Sequence, residues 1–407
     1  MINYSEQQLM DMSEQYLMFG KKMYSAVMDH GDGVYLYDKN GKAYLDFVGG
    51  IAVNSLGYNN REYIEALKEQ LDKMSHISAY YYNEPAILAA KKLVETSKMS
   101  KAFFSNSGTE AIEGALKVAK KYAFMKNNEE CDYEIIAMHH SFHGRSMGSL
   151  GMTDNAKYQG PFVPGNVKAV FAEFNNIEDV KSKVTNRTCG ILCEVLQGEG
   201  GIIKADPEFL TGLRNLCDEL DIILIFDEVQ CGMGRLGSMY AHDIYGVKPD
   251  VIAMAKALGC GVPVGAFLVN EKCKDVLVPG EHGNTYGANP FCMAAVLKVF
   301  ELYEKLNLVE HVKKVGPVLT KAIEELVEKH PTAIEQKGLG LMQGVAVTVN
   351  RDELEKLAFQ KGLLVCAAGA DVIRFVPPLI VTEEDIHKAI HIMDECLTEM
   401  ESMNTNN

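Results

Sequence analysis

Ile222-Ile-Leu-Ile-Phe-Asp-Glu-Val-Gln230 and Asp250-Val-Ile-Ala-Met-Ala-Lys256 decide the fold. Each is a short apolar run that ends by delivering a charged side chain, Asp227 in the first and Lys256 in the second. A continuous apolar run of this length, bounded by charge, predicts a strand buried on both faces of a parallel sheet. From about Ile51 to Gly280, further strand-like runs alternate with helical ones, which predicts a doubly wound α/β domain. Ligands of open α/β sheets lie beyond the carboxyl ends of the strands. One site is therefore expected to receive the Asp227 carboxylate and the Lys256 amine together.

That pairing suits pyridoxal phosphate, whose aldehyde needs a Schiff-base lysine and whose ring nitrogen needs an acidic partner. A buried structural Asp–Lys ion pair is the alternative. A phosphate anchor is expected at Phe103-Phe-Ser-Asn-Ser-Gly-Thr-Glu110. Positions 111, 112, 115, 116 and 119 place apolar groups on one helical face, so Ser107, Gly108 and Thr109 fall at a helix start. Free backbone N–H groups and the helix dipole attract an anion there. An ordinary serine or threonine cap without a ligand would leave the same pattern.

Ser105-Asn-Ser-Gly-Thr-Glu-Ala111, Ser141-Phe-His-Gly-Arg145, Glu194-Val-Leu-Gln-Gly-Glu-Gly-Gly201, Phe226-Asp-Glu-Val-Gln230, Ala255-Lys256 and Asn284-Thr-Tyr-Gly-Ala-Asn-Pro290 follow one another in family order. The chain resembles the class III (ω-) aminotransferases of pyridoxal-phosphate fold type I. Gly338-Leu-Gly-Leu-Met-Gln-Gly344 and Val372-Ile-Arg-Phe-Val-Pro-Pro378 point to a likeness with the acetylornithine aminotransferase subgroup. The resemblance implies a doubly wound, mostly parallel sheet in a large domain and a smaller α+β domain built from both termini. The expected division is residues 1–50 as an N-terminal arm of the small domain, 51–285 as the cofactor domain and 286–407 as the rest of the small domain.

The resemblance also implies roles. Lys256 would carry the Schiff base and then shuttle the substrate proton, while Asp227 would keep the cofactor ring nitrogen protonated. Ser107, Gly108 and Thr109 would hold the phosphate. Phe142 and Val229 would cover the two ring faces, Gln230 would reach the ring hydroxyl, and Glu194 would lie nearby in support. Thr285 would reach the phosphate of a neighbouring subunit, so a homodimer with shared sites is expected. Arg145 would bind a substrate carboxylate with its planar fork. Arg374 would be closed by Glu199 when an ω-amine binds, and open to grip 2-oxoglutarate or glutamate. Structural salt bridges would account for either arginine on sequence grounds alone. The segment Met23-Tyr-Ser25 departs from the Arg-Phe-Pro-like stretch common in the subgroup.

Other motifs carry less. Gly232-Met-Gly-Arg-Leu-Gly237 fits a dinucleotide fingerprint but stands away from its strand, and reads as a flexible loop. His139, His140 and His143 cluster without partners at metal-ligand spacing, so no metal is expected. The net charge of −15 argues against a nucleic-acid surface, and no apolar run approaches a membrane span. Ten cysteines and an N-terminus read as lacking a signal peptide point to reduced thiols in the cytoplasm. The expected reaction is transfer of the δ-amino group of N-acetyl-L-ornithine to 2-oxoglutarate, as in arginine biosynthesis. The rivals are a sibling acting on ornithine, 4-aminobutyrate, putrescine or succinylornithine, and an aminomutase. A cofactor-sensing regulator would need a basic DNA-binding module.

Overall fold

The two apolar runs are neighbouring strands. In the computed structural model, which describes residues 4–127, 132–162 and 167–405, Asp227 ends one strand and Lys256 follows the next. Residues 1–3 of the expected N-terminal arm lie outside the described residues.

In chain order the strands are β1 (Met28–Asp32), β2 (Tyr35–Asp38), β3 (Ala43–Asp46), β4 (Lys101–Ser105), β5 (Glu134–Met138), β6 (Lys168–Ala172), β7 (Thr188–Glu194), β8 (Leu196–Gln197) and β9 (Ile203–Lys204). There follow β10 (Ile223–Asp227), β11 (Val251–Met254), β12 (Gly265–Val269), β13 (Ala333–Leu339), β14 (Met342–Val347), β15 (Leu363–Leu364), β16 (Cys366–Ala368) and β17 (Val372–Phe375). The central sheet has seven strands in the order β4-β12-β11-β10-β7-β5-β6. All its pairings are parallel except the two made by β12. Its middle strands are buried throughout, as continuous Ile, Leu and Val runs require when helices cover both faces.

Register fixes the site. Asp227 pairs with Ala253 on one side and Glu194 on the other, so three strands end level with one another. The helix Gly108–Lys126 lies against this sheet, and its expected inward positions Ala111, Ile112, Ala115, Leu116 and Ala119 are all buried. Both chain ends build the two four-stranded sheets, and β8 pairs with β9 in a small two-stranded one. β1, β2 and β3 join β15, while β13-β14-β17-β16 form a four-stranded sheet covered by the helices Leu308–Lys329 and Arg351–Gln360, on which the last helix, Glu383–Thr405, packs in turn. The last helix starts at a reciprocal cap, where Asp385 N–H donates to Thr382 Oγ1 at 3.2 Å and Thr382 N–H to Asp385 Oδ2 at 3.0 Å.

The Gly232–Gly237 loop is packed inside, not exposed to solvent. Arg235 is fully buried there and donates to the carbonyls of Leu341 and Pro377. Those bonds join the loop to the C-terminal sheet and leave its glycines facing protein.

Candidate active site

The carboxyl ends of β7, β10 and β11 open on a cavity of about 410 Å³. All of the expected site residues line it except Arg374 and Thr285. Arg374 stands directly behind the wall: its Nη1 donates to Glu199 Oε1 at 2.6 Å and to Gln230 Oε1 at 3.1 Å, and both acceptors face the cavity. Thr285 is exposed on the loop before the helix Pro290–Lys305, away from its own chain's cavity.

Lys256 arrives by an unusual backbone. Its φ is +50°, in the left-handed region that a lysine seldom adopts, and this turns the side chain from the end of β11 into the cavity. Protein enclosing the amine pushes its pKa down to about 8, with the Arg374 cation adding in the same direction. A small amine-directed reagent should therefore label Lys256 in the cofactor-free protein along a curve that rises through pH ~8, whereas exposed lysines follow ~10.4. Peptide mass mapping across pH reads this directly, and a Lys256 curve centred near ~10.4 would remove the case for a tuned amine.

Asp227 is only 5% exposed and its two oxygens are separately engaged. Oδ1 accepts from Val229 N–H at 3.0 Å, and Oδ2 lies 2.7 Å from His143 Nδ1. A carboxylate can only accept, so this contact assigns the proton to Nδ1 of His143. Nε2 of that histidine is then left buried without a hydrogen-bond partner among the described residues. Beside Asp227, burial and the neighbouring carboxylate push Glu194 up to about 7, while His143 pulls the other way. Glu194 also accepts from the Phe142 and Gly198 N–H groups, each at 3.3 Å, and so ties the Phe142 segment to β7.

The start of the helix Gly108–Lys126 forms the opposite wall. Ser107 caps it, accepting from Glu110 N–H at 3.3 Å. A Cβ on Gly108 would come within 2.8 Å of Val229, so only glycine lets this backbone approach so closely. Thr109 Oγ1 accepts from the N–H groups of Arg145 and Ser146, which clamps the Phe142–Arg145 segment over the helix start. One cavity thus joins a helix N-terminus suited to phosphate, an aromatic and a branched side chain, a buried carboxylate and a lysine of lowered pKa. This set fits pyridoxal phosphate.

Sequence reading missed three residues here. His143 belonged to a histidine cluster considered only for metal. Tyr158, whose ring centroid lies 3.5 Å from the Arg145 guanidinium carbon, carried no motif signal. Cys366 accepts from Arg374 Nε at 3.3 Å, and only the antiparallel pairing of β16 with β17, which sets Cys366 opposite Arg374, reveals it. Burial opposes the Arg374 charge, but Cys366 and Glu199 beside it hold its pKa above the ordinary arginine value. In the departing segment, Tyr24 stacks on Phe359 at 4.5 Å and donates to Glu355 Oε2 at 3.3 Å.

Comparison with known proteins agrees with this geometry. Residues 17–397 match the family model of aminotransferase class-III. The acetylornithine aminotransferase of Clostridium acetobutylicum is 44% identical over 389 residues, covering 95% of this chain and 100% of that protein. The acetylornithine aminotransferase of Methanocaldococcus jannaschii is 42% identical over 396 residues, covering 97% and 99%. Among solved structures, the ornithine aminotransferase of Toxoplasma gondii, reported with partial occupancy of pyridoxal phosphate at its active site, superposes with a TM-score of 0.94 at 25% identity, covering 98% of this chain and 96% of the other. With a family match spanning nearly the whole chain and a cavity built for its chemistry, the protein belongs to the class-III aminotransferases.

Proposed function

We propose that the protein transfers the δ-amino group of N-acetyl-L-ornithine to 2-oxoglutarate, giving N-acetylglutamate semialdehyde and glutamate in arginine biosynthesis. The observation that carries this reading is near-full-length identity of 44% and 42% to two acetylornithine aminotransferases. The geometry supports it through two arginines of different availability beside Lys256. Arg145 makes no ion pair among the described residues and opens on the cavity, while Arg374 is closed by Glu199. The proposed donor has an amine at one end and one carboxylate at the other, whereas the acceptor carries two carboxylates.

Bound pyridoxal phosphate supplies a carbonyl that condenses with amines and a ring that takes up electrons. The chain supplies the rest. Ser107, Gly108 and Thr109 would hold the phosphate, and Phe142 and Val229 would flank the ring with Gln230 at its hydroxyl. Asp227 would place negative charge at the ring nitrogen, held in position by Val229 N–H and His143. Lys256 would anchor the cofactor at rest. When its Nζ is free, the lowered pKa lets it accept the substrate proton and return it near neutral pH. Glu199 keeps Arg374 neutralised while the amine donor is bound. Its withdrawal would free the guanidinium for the α-carboxylate of 2-oxoglutarate.

The enzyme is further proposed to be a cytoplasmic homodimer in which Thr285 reaches the partner's phosphate site. Tyr80 and Tyr82 are 92% and 96% exposed, and Tyr286, beside Thr285, packs on His76 with ring centroids 5.4 Å apart. Asn83, next to Tyr82, donates to the Ala288 carbonyl at 3.2 Å, so exposed aromatics of the kind enriched at subunit interfaces stand on the segment packed beside the Thr285 loop. Among the described residues no helix is long and apolar enough to cross a membrane.

The deciding experiment measures glutamate formation from 2-oxoglutarate with N-acetylornithine, ornithine, 4-aminobutyrate, putrescine and succinylornithine in parallel. N-acetylornithine is expected to give the highest kcat/KM. A higher value for another amine would move the reaction to that donor. Turnover without any added keto acid would indicate an aminomutase.

A further inference from the structure

Arg145 lines the cavity yet makes no ion pair among the described residues. Its guanidinium carbon lies 3.5 Å from the centroid of the Tyr158 ring and 5.5 Å from that of Phe142. The two rings meet edge to face, with centroids 6.1 Å apart and planes at 88°. At 3.5 Å the guanidinium must lie nearly flat on the tyrosine, because an edge-on approach would push its nitrogens into the ring. Flat stacking engages the π face and leaves the in-plane N–H fork free. The cation is therefore oriented without being consumed.

Tyr158 is itself well anchored. It sits in the single turn Ala156–Gln159, capped by Asn155, whose Oδ1 accepts from Lys157 N–H at 3.0 Å. Gln159 Nε2 ties that turn to the carbonyls of Leu150 and Gly151 at 3.3 and 3.4 Å. Tyr158 also lines a second cavity of about 590 Å³, which shares Phe142 and Glu199 with the first. Arg145 lines the first cavity and Tyr158 the second, so the ring backs the guanidinium from the second space.

The geometry points to Tyr158 as a specificity-determining positioning residue, whose ring aims the Arg145 fork at the distal carboxylate of the substrate. This rests on the reading of Arg145 as that carboxylate's anchor. A guanidinium held flat by a ring binds a planar carboxylate without first having to be ordered, so the contribution falls on substrate binding. Substrates without a distal negative charge gain nothing from it.

Steady-state kinetics of the holoenzyme with N-acetylornithine and its methyl ester test this, since kcat/KM for each donor reports its own half-reaction. In the wild type the acid is preferred. Tyr158→Leu should lower the acid-to-ester ratio of kcat/KM by roughly tenfold, through KM for the acid with kcat nearly kept. Tyr158→Phe keeps the ring and should keep the ratio. Arg145→Met should abolish the preference. A general loss of packing would lower acid and ester together and leave the ratio intact, which overturns the assignment. So does an unchanged ratio in Tyr158→Leu when Arg145→Met has collapsed it. If Arg145→Met leaves the preference standing, the anchor reading fails instead.

Discussion

Lys256→Ala should lower glutamate formation by at least about 10⁴-fold, with the protein still folded and still able to bind pyridoxal phosphate weakly. The size follows from two functions lost at once. The proposed covalent anchor would disappear, and with it the only lysine lining the cavity among the described residues. Phosphate contacts at the Gly108 backbone and the flanking Phe142 and Val229 would remain, so some cofactor should survive dialysis. Borohydride, which is expected to fix the cofactor to an intact Lys256, should no longer do so. Folding is expected to hold because the substitution removes an amine whose charge is disfavoured by burial, and alanine meets no greater cost than lysine at φ +50°. A thermal melt within a few degrees of the wild type and an absent rate support the assignment. Substantial turnover would mean another group moves the proton.

Much of this site was legible in the sequence because its parts lie at the ends of local patterns. The Ile222–Asp227 and Asp250–Lys256 runs announce buried strands by composition alone, and neighbouring parallel strands bring their ends together. The apolar spacing after Gly108 fixes the helix face and hence the helix start. The order β4-β12-β11-β10-β7-β5-β6 could not be read, because nothing in the apolar run Gly265–Val269 shows that it pairs antiparallel with β4 and β11. Side-chain partners separated by long stretches of chain were equally hidden. His143 meets Asp227, and Cys366 meets Arg374, only after tertiary packing chooses rotamers and register. Tyr158 was invisible for a different reason, since a ring under a guanidinium needs no motif beyond one aromatic in a short turn.

The second large effect belongs to Asp227, and it separates charge from shape. Asn at this position has the same outline and its carbonyl can still accept from Val229 N–H. The other terminal atom, however, changes from an acceptor to an N–H donor facing His143 Nδ1 at 2.7 Å. His143 can answer by moving its proton to Nε2, which has no partner to lose among the described residues. The local hydrogen bonds therefore survive Asp227→Asn, and only the negative charge is gone. Without it, the proposed partner of the cofactor's ring nitrogen loses the negative charge that would keep that nitrogen protonated, and the electron-accepting state of the ring would be destabilised. The expected loss in kcat is about 10²- to 10³-fold, the scale seen when one preorganised electrostatic partner is removed from a buried site. Affinity for the phosphate end should change little, and the melt should stay close to that of the wild type. Asp227→Ala, which also leaves His143 Nδ1 without an acceptor, should be both slower and less stable. An Asp227→Asn enzyme with wild-type kcat would show that the charge is dispensable and that Asp227 serves only to orient its neighbours.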